Sequence, residues 1–315
     1  MILVTGSTGF IGRHLVERLL AEGHTVRCLL PAHKAEHLPW KNPPEIVIGN
    51  IVDDEALFRA VTGVHVIIHL ESAQWWGRRR DLERIEVAGT RNLITAARAA
   101  RVGRIITVSH LGAAPSAAYP LMRVKGQVEE AIRSSGLAYT IIRSGLVFGK
   151  DDAFINHLAM QLRVTPFVFL MPGQGEITLH PIYIDDLVSA LVVSLRELNT
   201  VDQTIEIGGA EYISLEDLIH TVMRVSGTYR MIVSVPPYML RWLANLYSLI
   251  LPRSLITPQW LDIFATNRTA HLGNLFQYFG IRPHRLEDTL LTYMRARRYG
   301  LSWLRYTLRR RPKVV

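Results

Sequence analysis

Thr5-Gly6-Ser7-Thr8-Gly9-Phe10-Ile11-Gly12 lies between the apolar run Ile2-Leu3-Val4 and a helical pattern that begins at Ile11. In such a turn Gly6 lets the chain leave a strand sharply, Gly9 lets backbone approach a pyrophosphate, and Gly12 lets the helix pack closely on the strand. The helix N–H groups and dipole are then placed to receive phosphate. The competing reading is a glycine-rich turn that binds nothing, which the flanking strand and helix disfavour.

Working outward, residues 11–22 place Ile11, Leu15, Leu19 and Leu20 at helical spacing, with Arg13, Glu17 and Arg18 on the polar face, and stop at Gly23. Short apolar runs at 2–5, 25–30, 45–49, 64–69, 104–109 and 138–143 alternate with helical patterns. That order predicts consecutive βαβ units, hence an α/β fold with a doubly wound parallel sheet whose strands are buried on both faces. A helix over 81–100 holds Gly89 in its middle, at a cost of about 1 kcal/mol relative to alanine, which points to a close approach to a strand or ligand. After Gly149 the alternation gives way to a mostly helical region, interrupted around 179–186 and by a strand near 203–208. The expected organisation is a nucleotide-binding core over 1–150 to which 178–212 returns, a smaller second lobe over 151–177 and 213–294, and a basic amphipathic tail over 295–315.

Selectivity for NAD in such folds normally uses an acid about 20 residues beyond the glycines, hydrogen-bonded to the ribose 2′-OH. Here the second strand runs out through Leu29-Leu30-Pro31-Ala32-His33-Lys34 with no carboxylate. Arg13, His33 and Lys34 supply cations suited to a 2′-phosphate. The expected cofactor is NADPH, with NADH or NAD as the alternative; the competing reading makes His33 and Lys34 solvated loop residues.

Over nearly the whole chain these motifs resemble the short-chain dehydrogenase/reductase superfamily in its extended or atypical branch, the NAD-dependent epimerase/dehydratase type. The resemblance rests on the opening glycines, Gly89-Thr90-x-Asn92, Lys125 with Glu129, Ile142-Arg143 through Gly149, and His180-Pro181-Ile182-Tyr183-Ile184-Asp185-Asp186. Within that branch, Ser109-His110-Leu111, residues 147–156, the segment after Val235 and the basic Trp-containing end are similar to the NADPH-binding accessory subunits of respiratory complex I and their bacterial relatives. That likeness implies a nucleotide held for structural rather than catalytic reasons. It also implies that Gly6, Thr8, Gly9, Phe10, Ile11, Gly12, Arg13, His33 and Lys34 hold the dinucleotide. Asn50, Ile51, Leu70, Glu71, Thr90, Ser109, Lys125 and Arg143 complete the implied set, although Glu71 departs from the small residues usual at its position.

In catalytic members of the superfamily a Tyr four residues before the helix Lys carries the proton, since about 400° of helix returns both to one face. Leu121 stands four residues before Lys125 and cannot move a proton. Tyr119 precedes Pro120 and so lies ahead of the helix, about 120° out of line. Ser109, Lys125 and Tyr119 are the candidate catalytic residues carried by the resemblance. The function this implies is an accessory or assembly subunit of a membrane-associated electron-transfer complex. The alternative is an NAD(P)H-dependent oxidoreductase, epimerase or dehydratase acting on a small or isoprenoid-like substrate.

The chain has 315 residues, 49% of them hydrophobic, ample for a sizeable core. Cys28 is the only cysteine, so no intrachain disulfide forms and a reducing, cytoplasmic setting is expected. No secretory signal is expected ahead of Ile2. The apolar stretch 238–256 is broken by Arg241, Asn245, Pro252 and Arg253, short of the roughly 20 residues a membrane span needs. Within it Met239, Leu240, Trp242, Leu243, Leu246 and Leu249 suit core packing, a pocket wall or a membrane dock.

Net charge is +9, yet residues 295–315 alone hold seven Arg, one Lys and no acid, leaving +1 for the remainder. Leu301, Leu304 and Leu308 recur there at helical spacing among Trp303, Tyr306, Arg305, Arg309, Arg310 and Arg311. The expected partner is a membrane protein complex or an anionic membrane surface, peripheral on the cytoplasmic face. A disordered basic tail is the competing reading, and nucleic acid is not expected because no binding motif accompanies the charge. The histidines show no ligand spacing, so no metal is expected, and His69, His110 and His180 read as structural. No Gly-x-Ser-x-Gly elbow is present.

Overall fold

The computed structural model describes residues 1–73, 79–250, 255, 261, 264, 266–295, 297 and 299–308. Strand β1 (Ile2–Thr5) leads through the glycine loop into α1 (Phe10–Ala21), β2 (Val26–Leu30), α2 (Ala32–Ala35), β3 (Glu45–Ile48), α3 (Asp54–Val61) and β4 (Val66–His69). Helices α4 (Arg79–Leu82) and α5 (Gly89–Ala99) follow, then β5 (Arg104–His110), α6 (Pro120–Arg133) and β6 (Ala138–Ser144). These strands, with β11 (Gln203–Ile207), form a seven-stranded parallel sheet in the order β11-β6-β5-β4-β1-β2-β3. The fold is α/β, Rossmann-like and doubly wound, and β1 pairs with both β2 and β4, so the order reverses there and opens a crevice at the strands' carboxyl ends.

Beyond the sheet run β7 (Val147–Phe148), α7 (Phe154–Val164), β8 (Val168–Pro172), β9 (Thr178–Leu179), β10 (Ile182–Tyr183), α8 (Ile184–Ser194) and β11 (Gln203–Ile207). The remainder comprises β12 (Ile213–Ser214), α9 (Leu215–Ser226), β13 (Met231–Val235), α10 (Pro237–Ile250), α11 (Asn274–Phe279), α12 (Leu286–Tyr293) and α13 (Tyr299–Thr307). Three apolar clusters form the core. One packs α3, α5 and α6 on the first face of the sheet, another packs α1, α8 and α11 on the opposite face, and the third joins α7, α9 and α12 in a smaller, largely helical C-terminal region.

Four sequence expectations are corrected. Strand β3 is an exposed edge rather than a strand buried on both faces, because only β2 pairs with it. The helix expected over 81–100 is interrupted by a π-helical turn, Glu83–Ala88, which turns both Ile85 and Glu86 inward. Gly89 does meet a close neighbour, but it is the Ile51 side chain: a Cβ there would lie 2.7 Å from Ile51 Cγ2. Strands β8 and β13 pair in parallel within the region read as mostly helical. No helix among the described residues is long and apolar enough to cross a membrane. The Leu249 side chain and Arg309, Arg310 and Arg311 lie outside the described residues.

Candidate functional site

A cavity of about 450 Å³ opens where the strand order reverses. Gly6, Thr8, Gly9, Phe10, Ile11 and Gly12 form one wall, Leu70 and Glu71 after β4 the next, and Ser109 with Lys125 the far end. Lys34 reaches it from α2. The loop fits so closely because its glycines have no room for a side chain. Gly6 has φ +66°, and a Cβ on it would lie 2.4 Å from Leu70 O; a Cβ on Gly12 would lie 2.3 Å from Gly6 O. Helix α1 begins with no side-chain cap, so its first N–H groups are left for a ligand.

Six expected cofactor contacts and the catalytic candidate Tyr119 do not line the cavity. Arg13 sits behind its rim, with Nη2 3.3 Å from Asp151 Oδ2 and the guanidinium 5.7 Å from the Phe10 ring centroid. His33 is exposed on α2. Asn50 accepts a hydrogen bond from Val52 N through its own side chain, and Ile51 is core. Thr90 donates to Glu86 O and meets His69 Nε2 at 3.0 Å. Tyr119 caps α6 beneath Arg241, and Arg143 is held by Glu129 and Glu206, which push its pKa up.

The far end holds side chains the sequence reading did not select. Lys125 Nζ stands 2.7 Å from Glu86 Oε2, and Glu86 Oε1 accepts from Ser72 Oγ and Ala73 N. Arg268, 146 residues from its contact Met122, also borders the cavity, as do Asp151 and Asp152. Chain distance hid Arg268. Glu86 lies in the π turn, which helical periodicity does not place. Leu121, at the position of the family's Tyr, is buried in the core, so the proton donor is absent there.

Burial governs the titratable groups. It pushes His69 down to about 4, with Lys125 adding to the effect. It pushes His110 down to about 3, with Lys125 and Arg268 adding to it. Both rings are therefore neutral near pH 7. Burial raises Asp152 to about 7 although Ile155 N and Gly149 N donate to it. Burial also raises Glu71. His180 is held by Gly209 O and Ala270 N, a structural role.

The donor set suits a nicotinamide dinucleotide: an uncapped helix N-terminus, glycines with no space for a Cβ, and a buried Ser109 Oγ with no hydrogen-bond partner among the described residues. A family model described as NAD(P)H-binding matches residues 6–158. Over that nucleotide-binding half the chain is similar to the atypical short-chain dehydrogenase/reductases. Its residues 6–158 form an NAD(P)H-binding domain. It is 28% identical to the photosystem II assembly factor Ycf39 of Cyanophora paradoxa over 75% of its length and 71% of that protein. It is 27% identical to NADH dehydrogenase [ubiquinone] 1 alpha subcomplex subunit 9, mitochondrial, of Mus musculus, over 78% of its own length; the match spans 66% of the mouse subunit. Among solved structures, a nucleoside-diphosphate-sugar epimerase of Staphylococcus aureus matches 92% of the chain and 99% of its own, with a TM-score of 0.76 at 17% identity. That likeness bears on the fold alone.

Proposed function

We propose that the chain is a noncatalytic NADPH-binding accessory or assembly subunit of a membrane-associated electron-transfer complex, peripheral on the cytoplasmic face. The observation that carries this reading is the pair of Leu121 in the core and Lys125 tied to Glu86, which leaves the family's proton-transfer position without a proton to give. The names of the relatives, an assembly factor and a respiratory-chain subunit, support it. Lys34 at the cavity and Arg13 behind its rim favour NADPH by offering positive charge with no carboxylate at the end of β2.

The residues that would hold the dinucleotide are the loop backbone of Gly6 to Gly12, with Ser109 toward the nicotinamide end. When bound, the nucleotide would supply binding free energy to the fold. At a concentration about 100 times its dissociation constant it contributes about 2.7 kcal/mol of stability. The test is thermal unfolding with NADPH and with NADH, followed by incubation of the bound nucleotide with membrane extract. A rise in Tm without NADPH oxidation supports the reading, and no rise with either nucleotide refutes it.

A second reading, a reductase, epimerase or dehydratase, draws on the cavity's continuation past Ser109 to Arg268 and His180. Substrate-dependent NADPH oxidation abolished by Ser109→Ala would favour it.

A further inference from the structure

Helix α10 is apolar on both of its sides. Leu240 and Ala244 face inward and are buried. Tyr238, Met239, Trp242 and Leu246 are exposed, Tyr238 by 71% and Trp242 by 65%. At about 100° per residue these four span an arc of about 100°, so they form one outward stripe. A helix apolar all round is ordinarily buried all round, and a contiguous exposed apolar patch marks a surface that something else covers.

Charge indicates what covers it. Residues 218–261 contain no Asp or Glu, and their charged side chains are Arg224, Arg230, Arg241 and Arg253; Arg224 pairs with Glu287 of α12, and Arg253 lies outside the described residues. On the β8–β13 pair that precedes α10, Phe167 is 85% exposed just ahead of β8, and Met231, also exposed, opens β13 beside it. Helix α13 repeats the pattern: Trp303 and Tyr306 pack on the C-terminal core, while Leu301, Leu304 and Leu308 point outward with Arg305 among them. Residues 295–315 again contain no acid. Exposed Trp, Tyr and Leu set in acid-free basic sequence match the boundary between anionic headgroups and acyl chains, where aromatic rings anchor and cations are attracted.

We propose that α10 docks the protein on an anionic lipid surface, its stripe of Tyr238, Met239, Trp242 and Leu246 entering the headgroup layer without crossing the bilayer. This rests on the membrane-peripheral part of the function proposed above and not on the nucleotide.

The experiment is sedimentation of the full chain with vesicles of phosphatidylcholine alone and of phosphatidylcholine mixed with phosphatidylglycerol. Binding to the mixed vesicles is expected to be tighter by about tenfold or more. The double variant Met239→Glu/Trp242→Glu is expected to lose it by a similar factor, with Tm and the NADPH-induced Tm rise measured on the same samples. Trp242→Phe keeps the helix intact and gives a second readout: brominated acyl chains should quench the emission of the unaltered protein more than that of the variant. No binding to mixed vesicles, unchanged binding by the double variant, or equal quenching with and without Trp242 each overturns the proposal. Retention of the stripe by a co-purifying protein instead of lipid also overturns it. A lost NADPH response with intact vesicle binding would refute only the nucleotide reading.

Discussion

Glu86 reaches Lys125 because a π-helical turn points it inward, and the two buried side chains pair at 2.7 Å in the wall of the cavity. Removing one partner leaves a buried charge alone, which typically costs about 3–5 kcal/mol. Glu86→Gln and Lys125→Met are each expected to fall in that range. The double variant should lose clearly less than the sum of the two. Urea denaturation of all four proteins checks the coupling; additive losses would mean the pair is not an energetic unit.

Gly12 is the tightest point of the loop, with backbone atoms of Gly6 and Ser7 within 2.8 Å of any Cβ placed there. Backbone cannot rotate aside as a flexible side chain can. Gly12→Ala is expected to destabilise the protein by about 1–3 kcal/mol and to abolish the NADPH-induced rise in Tm. Differential scanning fluorimetry measures both at once, and a variant that keeps the full ligand response would separate this glycine from the binding site.

Arg13, proposed above to favour a 2′-phosphate, already has a partner. It pairs with Asp151, which also accepts from Arg297, so a 2′-phosphate must compete with that carboxylate. Arg13→Ala should weaken NADPH binding by about tenfold or more while NADH binding changes little, since a charge-assisted bond contributes about 1.5–3 kcal/mol. Asp151→Asn should tighten NADPH binding. Isothermal titration with both nucleotides reads the two variants, and an equal effect on NADH would place Arg13 away from the phosphate.

What sequence could supply follows from range. The glycine loop, the parallel strands and Gly23 at the end of α1 are local patterns, and they sit within a residue or two of where the spacing puts them. Glu86 was not legible because helical periodicity assumes 3.6 residues per turn, and the π turn breaks that count. Arg268 depends on a contact with Met122 across 146 residues of chain, which no local pattern encodes. The edge position of β3 is likewise set by the sheet order, not by its composition. The exposure of Trp242 and Tyr238 reverses the usual inference from an apolar helix, because periodicity reports which residues share a face and not what that face meets.

His69 links the nucleotide loop to the π turn, with Nδ1 2.7 Å from Thr5 Oγ1 and Nε2 3.0 Å from Thr90 Oγ1. Thr90 donates its own proton to Glu86 O, so Nε2 donates to Thr90 and Nδ1 accepts from Thr5. Burial lowers the folded pKa to about 4, against 6.5 for the unfolded ring. The unfolded chain therefore takes up the proton first. The stability carried by the neutral ring is fully present above about pH 6.5 and is lost as pH falls toward about 4. His110, lowered to about 3, acts in the same direction. Urea midpoints measured between pH 7 and pH 4.5 should fall steadily in the unaltered protein. They should fall less steeply in His69→Gln, which cannot titrate; an identical slope would show that the acid sensitivity arises elsewhere.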